Sequence, residues 1–167
     1  NFTPPPALTK EEIALFSPPA PTEAVYQTLP IPEAIQLATR LHQQGELQQA
    51  ETIYRQVLAV EPDNLDALHL LGVIAAQTLH YDAAIELFNQ AIQLNDTIPA
   101  IYNSLGSVFG NQNLFAEATS YYQKALALDP KDADLHSNLA YALRAQGKLA
   151  EALAGYQQAL LLQPDNV

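Results

Sequence analysis

A period of 34 residues constrains this chain more than any other feature. Set against itself at that offset, the sequence repeats Leu37, Leu71, Leu105 and Leu139 without exception, and likewise Ala50, Ala84, Ala118 and Ala152. A small residue follows each Leu: Ala38, Gly72, Gly106 and Ala140. An aromatic ring recurs at Tyr54, Phe88, Tyr122 and Tyr156. Three residues later comes a slender side chain, at Val57, Ala91, Ala125 and Ala159, and then a branched aliphatic at Leu58, Ile92, Leu126 and Leu160. Pro62, Pro130 and Pro164 close three units, and Asp96 stands at the remaining place. A fixed period between about 20 and 50 residues marks stacked repeats, in which no single unit buries its apolar face alone.

Within each unit the spacing is helical. Leu37 and Leu41 lie four apart, and Ala50, Tyr54 and Leu58 step by four along one face. The pattern predicts two helices per unit, at about 33–44 and 48–60, 66–78 and 82–94, 100–112 and 116–128, and 134–146 and 150–162. Turn signals separate each pair: Gly45 and Gly147 in the outer units, Leu79 and Asn113 in the inner ones. Asp82 is expected to cap the second helix of its unit, and Asp132 the first helix of the last. The small residue beside each Leu should let the paired helix approach, with the aromatic ring filling the gap against the next unit.

These residues and spacings resemble the tetratricopeptide repeat, a helix-turn-helix unit of 34 residues. The resemblance covers residues 31–164, as repeats 31–64, 65–98, 99–132 and 133–166. It implies an all-α fold: a right-handed α-solenoid of about eight helices. The family's favoured Trp near the start of each unit is Ala34, Leu68, Tyr102 and His136 here, and Pro99 is placed to compensate for the missing proline at Asp96.

The resemblance also implies a groove lined by the first helix of each pair. By repeat position it would present Ile35, Thr39, His42 and Gln43, then Asp66, His69, Val73 and Gln77. The later repeats add Asn103, Ser107, Gly110 and Asn111, then Asp134, Ser137, Tyr141 and Arg144. Such a face is polar and mostly uncharged, and amides offer donor and acceptor together to a peptide backbone. Family members that grip acidic chaperone tails use several groove Lys and Arg. Here the groove holds only Arg144, so that role is set aside.

Charge narrows the partners. Seven Lys and Arg face eighteen Asp and Glu, a net charge of −11. Sequence-independent nucleic-acid binding needs clustered bases, and docking on anionic lipid needs the same. A neutral to basic protein or peptide is the expected partner. With no Cys, disulfides, thiolate metal sites and a Cys nucleophile are excluded. His42, His69, His80 and His136 lack metal-ligand spacing, and His136 is expected to pack at a core-facing position. Ser107 and Ser137 have no spaced His–Asp partners, and no Gly-rich phosphate loop occurs, so neither catalysis nor a cofactor is expected.

Residues 1–30 differ in kind. Eight of the twelve prolines fall within the first 32 residues. Proline fixes φ and removes a donor, so a long helix is excluded there. Thr9-Lys10-Glu11-Glu12 has capping-box spacing ahead of Ile13, Leu15 and Phe16, which allows one short helix. Two readings stand: a Pro-rich linker, or an arm that docks Phe16, Val25, Tyr26 or Leu29 onto the repeats. No secretory signal and no apolar run of about 18 residues is present, so a cytoplasmic protein without membrane insertion is expected. The chain starts at Asn1 and contains no Met, which suggests a piece of a longer protein.

The expected function is a non-enzymatic interaction module, a scaffold or adaptor that presents the groove to a protein segment. Two alternatives are open. Asn138-Leu139 and the stretch Ala67-Leu68-His69-Leu70-Leu71-Gly72 resemble tetratricopeptide regions that precede bacterial glycosyltransferases and methyltransferases, implying a targeting or substrate-recruiting domain. An uncapped last repeat, with Leu153, Leu160 and Leu161 exposed, would instead allow homo-oligomerisation.

Overall fold

The computed structural model describes residues 29–163, which form eight α-helices; no strand occurs among the described residues. They are α1 Ile31–Gln43, α2 Leu47–Val60, α3 Leu65–Gln77, α4 Tyr81–Leu94, α5 Pro99–Asn111, α6 Phe115–Leu128, α7 Ala133–Ala145 and α8 Leu149–Leu162. Each expected helix is present, with ends displaced by at most two residues. The short helix expected near Ile13 lies outside the described residues.

One device makes all four turns within repeats. Gly45, Leu79, Asn113 and Gly147 adopt left-handed backbone, with φ of 84°, 63°, 62° and 77°. The next amide then reaches back five residues: Glu46 N–H to Leu41 O at 2.9 Å, His80 to Ala75 at 2.8 Å, Leu114 to Phe109 at 2.9 Å and Lys148 to Leu143 at 3.0 Å. This is the Schellman arrangement, which satisfies carbonyls that a helix end leaves unpaired. Glycine and asparagine take the conformation readily; Leu79 does so at a cost of about 1–2 kcal/mol, with its side chain in solvent.

That turn also corrects the expectation for Asp82. The residue that closes each Schellman bond is itself the N-cap of the following helix: Glu46, His80, Leu114 and Lys148. None of these four helices has a side-chain cap bond. Asp82 therefore falls in the first turn of α4, where it faces the helix dipole and does not cap. The junctions between repeats differ. Asn64 accepts from Ala67 N–H and Asp132 from Leu135 N–H, both at 3.0 Å, so Asp132 caps as expected. Where Asp96 replaces proline, Asn95 Oδ1 accepts from Thr97 N–H at 2.9 Å, and Pro99 starts α5.

The core is built at the seams. Tyr54, Ile53 and Val57 of α2 pack with Leu71 and Ile74 of α3. Phe88 and Ala91 of α4 cluster with Leu68 and with Ile101, Leu105 and Val108 of the third repeat. The small residues set the approach within repeats. A Cβ on Gly72 would lie 2.6 Å from Phe88 Cε1, and one on Gly106 2.5 Å from Tyr122 Cε1. In the last repeat Ala140 holds the small position, and space comes from the facing Gly155, whose Cβ would lie 2.9 Å from Ala140 Cβ. The ring thus covers its own repeat's glycine and meets the next repeat with its other face.

Candidate functional site

The odd-numbered helices α1, α3, α5 and α7 touch one another in succession as well as touching their even partners. Consecutive even helices do not reach the same extent of contact among the described residues. The stack therefore closes on the odd side and fans open on the even side, which places the odd helices on the inner, concave face.

Three hydrogen bonds tie this inner face together. His42 Nε2 meets Gln77 Oε1 at 2.8 Å, His69 Nε2 meets Ser104 Oγ at 3.0 Å, and Asn138 Nδ2 donates to Asn103 Oδ1 at 3.0 Å. Each spans 35 residues, one more than the period, because neighbouring odd helices run parallel with a one-residue offset in contact. Two more bonds fasten odd helices to even ones. Thr39 Oγ1 donates to Ile35 O at 2.8 Å and stands 3.1 Å from the Tyr54 hydroxyl. Ser107 Oγ donates to Asn103 O at 3.0 Å and stands 3.3 Å from the Tyr122 hydroxyl.

Several expected groove residues are thus committed to the scaffold. Thr39, His42, His69, Gln77, Asn103 and Ser107 all have internal partners. Ser104 and Asn138, which supply two of those partners, escape a reading at period 34 but are found at an offset of 35. Val73 and Gly110 are half-buried on the same helices. Gln43 and Asn111 are exposed at the helix ends and have no side-chain partner among the described residues.

The last repeat carries the most available side chains. Tyr141 is 51% exposed, sits edge-on to Phe115 with ring centroids 6.2 Å apart, and lies 5.5 Å beneath the Arg144 guanidinium. Phe115 is itself positioned by Gln146, whose Nε2 donates to Phe115 O at 2.9 Å and to Thr119 Oγ1 at 2.7 Å. Ser137 and Asp134 line a small hollow of about 140 Å³ with Tyr156 and Leu160. At the other end, Ile31, Pro32, Ile35, Glu61, Asn64 and Asp66 line a cavity of about 370 Å³.

The His69–Ser104 pair has the composition of a nucleophile and base but not the wiring. Ser104 gives its proton to Ala100 O at 2.9 Å, so its oxygen can only accept from His69. A base that must donate to the hydroxyl cannot activate it. His136 is half-buried, and its Nε2 stands 3.0 Å from Pro130 O. No group of three or more potential metal ligands occurs among the described residues. No described helix is long and apolar enough to cross a membrane.

Burial holds the His69 pKa below its usual 6.5, against an opposing pull from Asp66. The ring also lies against Phe88 with centroids 5.7 Å apart. A histidine that resists protonation when folded gives stability that is complete above its unfolded pKa and is lost as pH falls from about 6.5 toward the lower folded value. Chemical unfolding between pH 7.5 and 5 should show this loss, and His69→Gln should flatten it. An equal slope in the variant would remove His69 as its source.

Comparison with known proteins agrees with this architecture. The sequence pattern of the tetratricopeptide repeat family matches residues 35–97 and again 103–167. A TPR repeat-containing protein of Pseudomonas aeruginosa is 41% identical over 78 residues, 46% of this chain and 13% of its own length. Tetratricopeptide repeat protein 7B of Homo sapiens is 30% identical over 78 residues, 47% of this chain and 9% of its own. The chain therefore spans only a small part of these relatives. Among solved structures, MamA residues 41 to the end from Desulfovibrio magneticus RS-1 superposes with a TM-score of 0.75 at 19% identity, covering 86% of this chain and 81% of that one. MamA from AMB-1 gives 0.66 at 25% identity, covering 83% and 81%. With two matched stretches that together take in well over half its residues, the chain belongs to the tetratricopeptide repeat family.

Proposed function

We propose that this chain is a non-enzymatic interaction module, a scaffold or adaptor whose concave face of α1, α3, α5 and α7 receives a segment of a partner protein. The observation that carries this is the exposed Tyr141, held edge-on to Phe115 and capped by Arg144 on the inner face. Tyr and Arg dominate binding hot spots because each buries area while keeping polar contacts. Gln43 and Asn111 add free amides for a peptide backbone.

The cavity at the first repeat favours a basic residue in the partner. Its apolar wall of Ile31, Pro32 and Ile35 suits a Lys or Arg stem, and Glu61 and Asp66 suit the charged head. The net charge of −11 favours the same encounter.

A phage-displayed library of random dodecapeptides provides the probe. Peptides enriched on the wild-type chain should be neutral to basic. They should bind a Gln43→Ala, Asn111→Ala, Tyr141→Ala variant at least about tenfold more weakly, the effect of one lost hot spot. Equal binding by the variant, with unchanged helical content, would move the site off this face.

A second reading rests on α8, where Leu149, Leu153, Leu160 and Leu161 are all exposed. Leu149, Leu153 and Leu160 share one stripe of this helix by their spacing, and such a stripe is suited to stacking on another copy. Sedimentation velocity over a concentration series should then show association that Leu160→Lys with Leu161→Lys abolishes. A strict monomer at high concentration would eliminate this reading.

A further inference from the structure

The outward face of α8 is built like a seam that another helix covers. Leu153, Tyr156 and Leu160 fall on one stripe by their spacing. In the second repeat Ile85, Phe88 and Ile92 hold the same places, and there they are buried or half-buried in the cluster shared with α5. On α8 the three stand 59%, 36% and 51% exposed, and no helix follows α8 among the described residues. The α1 helix of another copy would be the natural cover, since it begins a repeat, but its chemistry opposes this. A helix that covers such a seam buries two side chains seven apart: Ala67 and Ile74, Ile101 and Val108, Leu135 and Ala142. On α1 those places hold Glu33 and Arg40, both exposed. Successive helices run antiparallel, so Glu33 would press on the end of α8, where Ala159 to Leu162 are all apolar. A carboxylate buried without a partner is costly. Head-to-tail stacking, which closes a ring or grows a filament, is therefore blocked at its receiving end.

We propose that α8 pairs instead with α8 of a second copy, antiparallel about a two-fold axis near Tyr156, and that Glu33 and Arg40 hold the assembly at a closed dimer. This rests on the second reading above, that α8 joins copies. The stripe is complementary to itself. Leu153 and Leu160 flank Tyr156, so about that axis Leu153 meets the partner's Leu160 and Leu160 meets the partner's Leu153. α8 also carries a single charged side chain, Glu151, and depletion of charge is what sets the core of an interface apart. The two-fold places the two Glu151 residues about 16 Å apart along the helices, beyond the screening length of about 8 Å at physiological salt.

The chain contains no cysteine, so introduced thiols report contacts without interference. Full chains bearing Leu153→Cys or Leu160→Cys are prepared separately, then oxidised alone and mixed. Cross-linked dimer should form in the mixture and not in either chain alone, because a disulfide needs Cα atoms within about 7 Å. Self-linking of either chain at the rate of the mixture would overturn the antiparallel pairing. Sedimentation velocity of the wild-type chain separates the two ways to fail. A strict monomer would overturn this proposal together with the reading beneath it. Association without the mixed cross-link would keep self-association and overturn this pairing. A second variant tests the block on α1. Glu33→Ile with Arg40→Val supplies the side chains that Ile101 and Val108 place on α5. It should shift the chain to species larger than a dimer, and adding Leu160→Lys should dissolve them. A variant that stays dimeric, or a wild-type chain that already forms the larger species, would overturn the role given to Glu33 and Arg40.

Discussion

Phe88→Ala should destabilise the chain by about 3–5 kcal/mol, the usual cost of emptying a fully buried aromatic site. Phe88 is 0% exposed and belongs to the cluster that joins the second repeat to the third. Its ring also fills the space left by Gly72, so truncation opens a void on two sides. Relaxation is limited, because the neighbouring wall is helix backbone at Gly72 and not a flexible side chain. In a stack where each repeat contacts only its neighbours, weakening a central seam also reduces cooperativity. Urea unfolding followed by circular dichroism should show a lower midpoint and a shallower transition. An unchanged midpoint would mean that Phe88 does not bridge these repeats.

Leu105→Ala on the facing helix should cost about 2–5 kcal/mol by the same mechanism. Leu105 is 0% exposed and shares the Phe88 cluster. Because the two side chains line one cavity, the double variant should lose less than the sum of the singles, with a coupling of about 0.5–3 kcal/mol. Strict additivity in a double-mutant cycle would show that the two residues report separate packing sites.

The helices and their seams were readable from the sequence because one physical requirement repeats four times. Leu105, Gly106 and Tyr122 recur at 34 because every unit must bury the same face against the next. Leu79 and Asn113 marked turns for the same reason, although only Asn113 favours left-handed backbone on its own. Asp82 misled because an N-cap rule considers one helix at a time. Here the preceding Schellman turn fixes which residue enters the helix, and that residue is His80.

The inner face was harder to read. Family position indicates which side chains point inward, but not which are consumed by their neighbours. His42, Asn103 and Thr39 look like free polar groups in the sequence. In the fold they hold Gln77, Asn138 and Tyr54. These pairs depend on the offset between parallel helices, which no single-repeat pattern encodes. The aromatic cluster of Phe115 and Tyr141 was likewise hidden, since it joins the second helix of one repeat to the first helix of the next.

The central claim, that the odd-helix face is the binding surface, is most directly tested by mapping. Amide and side-chain shifts of the labelled chain would be followed while a library-selected peptide is titrated in. The claim predicts that the largest changes fall on Gln43, Asn111, Tyr141 and Arg144 and on the corner at Ile35 and Asp66. Changes confined to α2, α4 and α6, or to the exposed leucines of α8, would contradict it.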